Sequence, residues 1–186
     1  MNTGLLLIDI QNDYFPGGKY ELFQAEKAAV QAKEMLTFFR KHKLPIFHVQ
    51  HINKTPTATF FLPDSTGVNF HQSVFPQTGE IIIRKNTPDS FFKTILKPEL
   101  EKKNIDHLAV CGMMTHMCVD TTVRAARNSG YTITLIEDAC ATKDLEWKQI
   151  NIPAAIVQAA FMAALSDGFA KITTLAEWEE HASISV

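Results

Sequence analysis

Near its start the chain carries Leu5-Leu6-Leu7-Ile8, an unbroken apolar run. A strand with one wet face alternates apolar and polar residues, so an unbroken run marks a strand covered on both faces, as in a parallel sheet. That requirement constrains everything downstream, because parallel neighbours need crossover connections, usually helices. The remaining sequence supplies both. Pro45–His51, Ile81–Arg84, Leu108–Cys111, Tyr131–Ile136 and Ala170–Thr173 read as further strands, giving six in all. Between them the period becomes helical. Ala29, Ala32, Leu36 and Phe39 line one face of a helix from Ala25 to about Lys41, and Ser90 to Lys103 reads as a helix interrupted by Pro98. Cys118 to Ser129 is a third helix, stopped by Gly130. A fourth starts at Pro153 and runs to about Leu165, with Ala154, Val157, Phe161 and Ala164 expected to face the sheet. Thr174-Leu-Ala-Glu177 is a capping box that opens a terminal helix. Strands alternating with helices in this way predict an α/β sandwich with a mostly parallel sheet.

The 186 residues fit one domain, 1–186, with a sizeable core. A formal charge of -2 and a pI near 6.4 give no electrostatic basis for binding nucleic acid or an anionic membrane. No stretch approaches the ~18 apolar residues of a membrane span. Met1-Asn-Thr-Gly4 leads into the first strand without a basic leader, and three cysteines do not pair off as a disulfide framework. A cytoplasmic protein is expected. One long segment, Ile52 to Glu80, has no clear period and holds Pro56, Pro63 and Pro76, while Phe60, Phe61, Phe70 and Phe75 imply that it is packed.

The chemistry gathers at the ends of strands, where open α/β sheets bind ligands. After Leu108–Cys111 the chain breaks at Gly112, and Thr115 stands where a helix N-cap is expected, placing Cys118 in the first turn. Free N–H groups and the helix dipole there favour an anion. The thiol is therefore expected to lose its proton more readily than a free cysteine, and the thiolate is a nucleophile. The same N–H groups suit an oxyanion, and the arrangement is that of a nucleophile elbow with cysteine in place of serine. The alternative is a cysteine that simply packs. Asp9 follows the first strand and Lys85 the third, so an acid, an ammonium and a thiol are expected on one edge. Partial desolvation would make Asp9 a base for the thiol proton, with Lys85 favouring the thiolate. Taken singly, Asp9 could be a local loop carboxylate and Lys85 a solvated residue.

The blocks Leu6-Leu-Ile-Asp9-Ile-Gln-Asn-Asp13-Tyr-Phe, Arg84-Lys85 with Ser90-Phe91, and Cys111-Gly-Met-Met-Thr-His-Met-Cys118-Val-Asp resemble the three signature blocks of the isochorismatase-like cysteine hydrolase superfamily. The likeness runs nearly end to end, through Asp138-Ala-Cys-Ala-Thr. It implies a three-layer α/β/α fold, a catalytic triad of Asp9, Lys85 and Cys118, and a cis peptide at Met113–Met114. It also implies an oxyanion hole formed by the backbone N–H groups of Met114 and Cys118, and a homodimer or homotetramer. Within the superfamily, nicotinamidases carry a metal site built on an Asp-x-His pair. Here the equivalent strand end reads His48-Val-Gln-His51 without the aspartate, and residues three apart on a strand point to opposite faces, so no metal and no cofactor are expected.

An intact Cys118 favours hydrolysis of a C–N bond in a small amide or lactam, and the third block with Asp138-Ala-Cys-Ala-Thr looks most like cysteine hydrolases that include streptothricin-hydrolase-like lactam cleavers. The first alternative is an isochorismatase-type ether hydrolase releasing pyruvate. The second is a non-catalytic binding or thiol-sensing protein on the same fold. Candidate substrate contacts are Phe15, His51, Phe60, Phe61, His116 and Trp147. The aromatics could equally be loop anchors or dimer contacts, His51 a satisfied polar residue, and His116 a capping or solvated one. Cys111 and Cys140 read as core residues.

Overall fold

The structure, a computed structural model, describes residues 2–182, with side chains through residue 180. Among these described residues eight strands and five α-helices follow one another. They are β1 (Thr3–Ile8), α1 (Ala25–Lys41), β2 (Ile46–His51), β3 (Ile81–Lys85), α2 (Leu96–Lys102), β4 (His107–Met113), α3 (Asp120–Asn128), β5 (Thr132–Ala141), β6 (Leu145–Trp147), β7 (Ile150–Ile152), α4 (Ala154–Ser166), β8 (Lys171–Thr173) and α5 (Leu175–Ala182). Six strands form one sheet in the order β3-β2-β1-β4-β5-β8, every pairing parallel.

Alternation along the buried strands feeds two separate cores. Leu5 and Leu7 of β1 and Ala109, Cys111 and Met113 of β4 pack with α1, whose Ala25, Ala28, Ala29, Ala32, Met35, Leu36 and Phe39 are buried, and with Leu175 of α5. Leu6, Ile8, Leu108 and Val110 turn the other way, onto Leu96 and Leu100 of α2, Val123 and Ala126 of α3, and Met162 and Leu165 of α4. Helices therefore cover both faces, as the unbroken apolar runs require, in three layers. Among the described residues no helix is long and apolar enough to cross a membrane.

Four local readings are corrected by the fold. Pro98 does not interrupt a helix; it sits in the first turn of α2, where its missing N–H has no partner to lose, and the residues from Ser90 to Ile95 precede the helix. The strand expected to stop at Ile136 continues to Ala141 after a register shift opposite Val110 and Gly112. The polar pair at that shift serves the neighbouring helices: Asp138 Oδ1 accepts the Leu175 N–H at 2.9 Å, and the Glu137 carbonyl accepts Gln158 Nε2 at 3.1 Å. An antiparallel hairpin, β6–β7, lies where no strand was expected. On α4 the buried stripe is Ala154, Val157, Met162 and Leu165; Phe161 is half-buried, its ring 6.1 Å from that of His116, and Ala164 is exposed.

The capping box forms as read, with the Glu177 N–H on Thr174 Oγ1 at 3.3 Å and the Thr174 N–H on Glu177 Oε2 at 3.0 Å. Gly130 closes α3 at φ 95°, in the region where glycine is at no disadvantage. The chain proceeds outward from β1 to β2 and β3, then returns to place β4 on the opposite side of β1. That reversal opens a crevice at the carboxyl ends of β1 and β4.

Candidate active site

Three strand ends deliver the site. β1 ends at Ile8, and Asp9 turns the chain with φ 52° while its N–H still bonds the Val49 carbonyl at 3.1 Å. β4 can close on β1 at this point because of Gly112, where a Cβ would lie 2.2 Å from the Ile8 carbonyl oxygen. β3 ends at Lys85, and β2, one strand in, ends at His51. After β4 the Met113–Met114 peptide is cis, and one π-helical turn, Thr115–Val119, precedes α3. Thr115 is not the N-cap. Met114 flanks the turn in extended conformation, and the Thr115 hydroxyl is buried, 2.6 Å from Gln158 Oε1 and 3.2 Å from the Ala141 carbonyl. Cys118 does lie in this first turn, on the second-core side of the sheet.

The Lys85 ammonium sits at the centre. Its Nζ is 2.7 Å from Asp9 Oδ2, 3.0 Å from His51 Nδ1, 3.0 Å from the Thr87 carbonyl and 3.1 Å from Cys118 Sγ. Asp9 and Lys85 are buried and Cys118 is 4% exposed. Among the described residues no fixed donor holds Asp9 Oδ1, and Cys118 Sγ lies within 4.8 Å of this carboxylate, which makes the thiol proton the one available to it. Asp9, His51 and Cys118 offer donor atoms within 4.8 Å of one another, a spacing that a metal ion could bridge. The Lys85 ammonium already lies against all three, so the set does not fit a second cation. His48, the other histidine of the strand, bonds Glu80 Oε2 at 2.7 Å through Nε2 and serves a different part of the fold.

Electrostatically the thiol differs from the sequence expectation. Burial, reinforced by the Asp9 carboxylate, raises the Cys118 pKa above its ordinary value, against the pull of Lys85. The helix-terminus effect is too small to offset loss of solvent. Releasing the thiol proton to water would leave two anions facing one ammonium; passing it to Asp9 leaves the charge of the site unchanged. For Lys85, burial favours the neutral amine, but Asp9 and Cys118 outweigh it and the pKa is raised, so the ammonium persists. Burial, with Lys85 adding to it and Asp9 opposing, lowers His51 to about 4, so its ring is neutral at physiological pH.

The other expected contacts are dispersed. Phe61 is buried, 6.0 Å from the His51 ring, and Phe60 is half-buried and stacked on Tyr20 at 4.3 Å. Phe15 is buried and stacked on His71 at 3.7 Å, lining a cavity of about 720 Å³ whose walls include none of the Asp9, Lys85 and Cys118 cluster. His116 is turned to Thr142 Oγ1, 2.6 Å from its Nδ1, and Trp147 stands 66% exposed on β6. Cys111 and Cys140 are buried free thiols.

Two residues beside the centre carried no separate signal in the sequence. Tyr14 is buried with its ring 4.6 Å from that of Phe61, and its hydroxyl pKa is raised well above the ordinary value by burial and then by the charges of Cys118 and Asp9. Gln11 holds the end of β2: its Oε1 accepts the His51 N–H at 2.8 Å, and its Nε2 donates to the carbonyls of His51 at 2.9 Å and Val68 at 2.7 Å. Both lie in the polar run after β1, inside the first of the three signature blocks, which assigned neither a role of its own.

Comparison with known proteins converges on one family. The isochorismatase domain family model matches residues 3–177. The isochorismatase family protein YddQ of Bacillus subtilis is 49% identical over 174 residues, covering 94% of this chain and 97% of its own. A streptothricin hydrolase of Streptomyces noursei is 30% identical over 166 residues, 88% of this chain and 59% of its own length. The crystal structure of an isochorismatase hydrolase from Oleispira antarctica superposes with a TM-score of 0.92 at 46% identity, covering 95% of both chains.

Proposed function

The chain belongs to the isochorismatase family of hydrolases, and from that premise we propose that it is a cysteine hydrolase cleaving a C–N bond of a small amide or lactam. The observation that carries this reading is the single ammonium of Lys85, 2.7 Å from Asp9 and 3.1 Å from Cys118, in a nearly closed site. The similarity to a streptothricin hydrolase supports it.

Asp9 takes the Cys118 proton, and the thiolate, now paired with Lys85, attacks the substrate carbonyl carbon. The backbone N–H groups of Met114 and Cys118 form the oxyanion hole. The proton on Asp9 passes to the leaving nitrogen as the C–N bond breaks, leaving an acyl thioester on Cys118. A water, deprotonated by Asp9, attacks the thioester. Collapse expels the thiolate, which recovers its proton from Asp9, so one amide and one water give one acid and one amine. At each transfer one negative charge moves between Asp9 and the substrate or sulfur, within reach of the same ammonium. A thiol sensor would need a resting thiolate, whereas burial and Asp9 hold this sulfur protonated.

The test is release of ammonia or amine from a panel of amides and lactams by the wild type and by Cys118→Ala. Release abolished in the variant supports the reading. Pyruvate formed from isochorismate in its place would assign ether hydrolysis, and turnover surviving in the variant would remove Cys118 from the mechanism. A cytoplasmic, homo-oligomeric protein of one domain goes with this proposal. Three free cysteines support the compartment, and exposed Trp147, Ile150 and Ile156 on β6, β7 and α4 support the oligomer.

A further inference from the structure

We propose that His51 is a positioning residue that competes with Cys118 for one N–H of the Lys85 ammonium and thereby sets when the sulfur becomes a thiolate. The inference deepens the cysteine-hydrolase reading and rests on its assignment of Lys85 and Cys118.

An ammonium has three N–H groups. Lys85 Nζ has four acceptors within 3.1 Å: Asp9 Oδ2, His51 Nδ1, the Thr87 carbonyl and Cys118 Sγ. Asp9 is a charged partner and Thr87 a backbone carbonyl with a fixed place, so the third N–H is shared between His51 and the sulfur. A thiol sulfur is a weak acceptor, and a neutral imidazole nitrogen is a much better one. While Cys118 is a thiol the N–H belongs to His51. When the proton leaves for Asp9, the thiolate at 3.1 Å becomes the charged acceptor and the shared N–H leans toward it, with no displacement of Nζ.

The surroundings are built to keep His51 in this part. Its backbone is pinned on both N–H and C=O by Gln11, which fixes the ring's approach to Lys85. Because Nδ1 accepts from an ammonium, the ring proton lies on Nε2, for which no partner exists among the described residues. The charged and titratable groups facing the sulfur are Asp9, Lys85, Tyr14 and His51. Tyr14 is held neutral by its burial and His51 by its own, so only the Asp9 and Lys85 charges change places with the sulfur's. His51 thus lowers the energy of the resting thiol without adding charge, and gives up its hydrogen bond in the step that creates the nucleophile.

The experiment follows the pH dependence of Cys118 alkylation by iodoacetamide, read by mass spectrometry of the Cys118 peptide, in wild type, His51→Asn and His51→Leu. It needs no substrate. Asn keeps an acceptor oxygen near the Nδ1 position, and Leu removes the acceptor while still filling the space. The midpoint in His51→Leu is expected about one pH unit below wild type, the shift that corresponds to loss of one charge-assisted hydrogen bond. His51→Asn is expected within about 0.3 unit of wild type. A His51→Leu midpoint that is unchanged or raised, or equal shifts in both variants, would overturn the proposal. Nitrogen-15 spectra of the wild-type imidazole provide a check that does not depend on a variant folding. The Nε2-protonated ring is expected at pH 7, and an Nδ1-protonated ring would overturn the assignment. A shifted midpoint together with no amide turnover would leave the His51 inference standing and the C–N reading refuted; turnover with an unshifted midpoint would do the reverse.

Discussion

At the scale of single residues, the proposed mechanism keeps one negative charge and one positive charge in contact while a proton changes hands. Asp9→Asn leaves the shape and removes the base. It is expected to lower kcat/KM about 10²–10⁴-fold in the amine-release assay, since that is the range general-base catalysis supplies. Lys85→Arg should not restore a Lys85→Ala loss, because a planar fork cannot place a compact charge against Asp9, Thr87 and Cys118 together. Full activity in the arginine variant, measured under the same conditions, would refute the compact-ammonium account. Asp9, Lys85 and Cys118 were legible from the sequence because each follows an apolar run and strand ends share one edge. The thiol's raised pKa was not legible. Residue spacing gives the helix terminus, but the competing loss of solvent depends on how deeply the sulfur is covered.

At the scale of elements, close approach of β1 and β4 is what brings Asp9 and Cys118 together. Gly112→Ala would drive a methyl into the Ile8 carbonyl and is expected to cost about 1–3 kcal/mol or more in urea unfolding, with loss of turnover. Thr174→Ala removes one half of the α5 capping box and is expected to cost about 1 kcal/mol by the same measurement, leaving turnover intact. The contrast separates a glycine that shapes the site from a cap that only holds a remote helix. Local signals found α1, the capping box and the Gly130 stop, since each is written in consecutive residues. They missed the β6–β7 hairpin and the continuation of β5 beyond Ile136, because Glu137 and Asp138 interrupt the apolar pattern for partners on α4 and α5 that are distant in sequence.

At the scale of the whole molecule, buried neutral histidines tie stability to pH. Burial lowers the pKa of His48, and that of His51 falls to about 4. The unfolded chain would bind protons at these rings near pH 6.5, while the folded chain does not, so their contribution is present above about 6.5 and is lost as pH falls toward 4. Burial would raise Glu80, but Arg40 on both of its oxygens, the Gln77 N–H and His48 outweigh it and bring it to about 2. Its contribution is present above about 4.5 and is lost as pH falls toward 2. The melting temperature is therefore expected to fall from pH 7 to pH 4, and less steeply in His48→Gln; equal slopes would remove His48 from the account. Trp147→Ala combined with Ile156→Asp on the exposed apolar surface is expected to yield monomer by light scattering, and the wild type is expected to give a dimer or tetramer; a wild-type monomer would remove the proposed oligomer.

The sequence by itself determined the layered α/β architecture, since unbroken apolar runs must be covered on both faces and helical stripes are available to cover them. It also placed Asp9, Lys85 and Cys118 at strand ends. Only the tertiary structure decided what surrounds them. The return of β4 to the far side of β1 and the clamp of Gln11 on His51 join segments some forty to one hundred residues apart. Such contacts follow from the packing of the whole chain and have no local periodicity, so no window of sequence contains them.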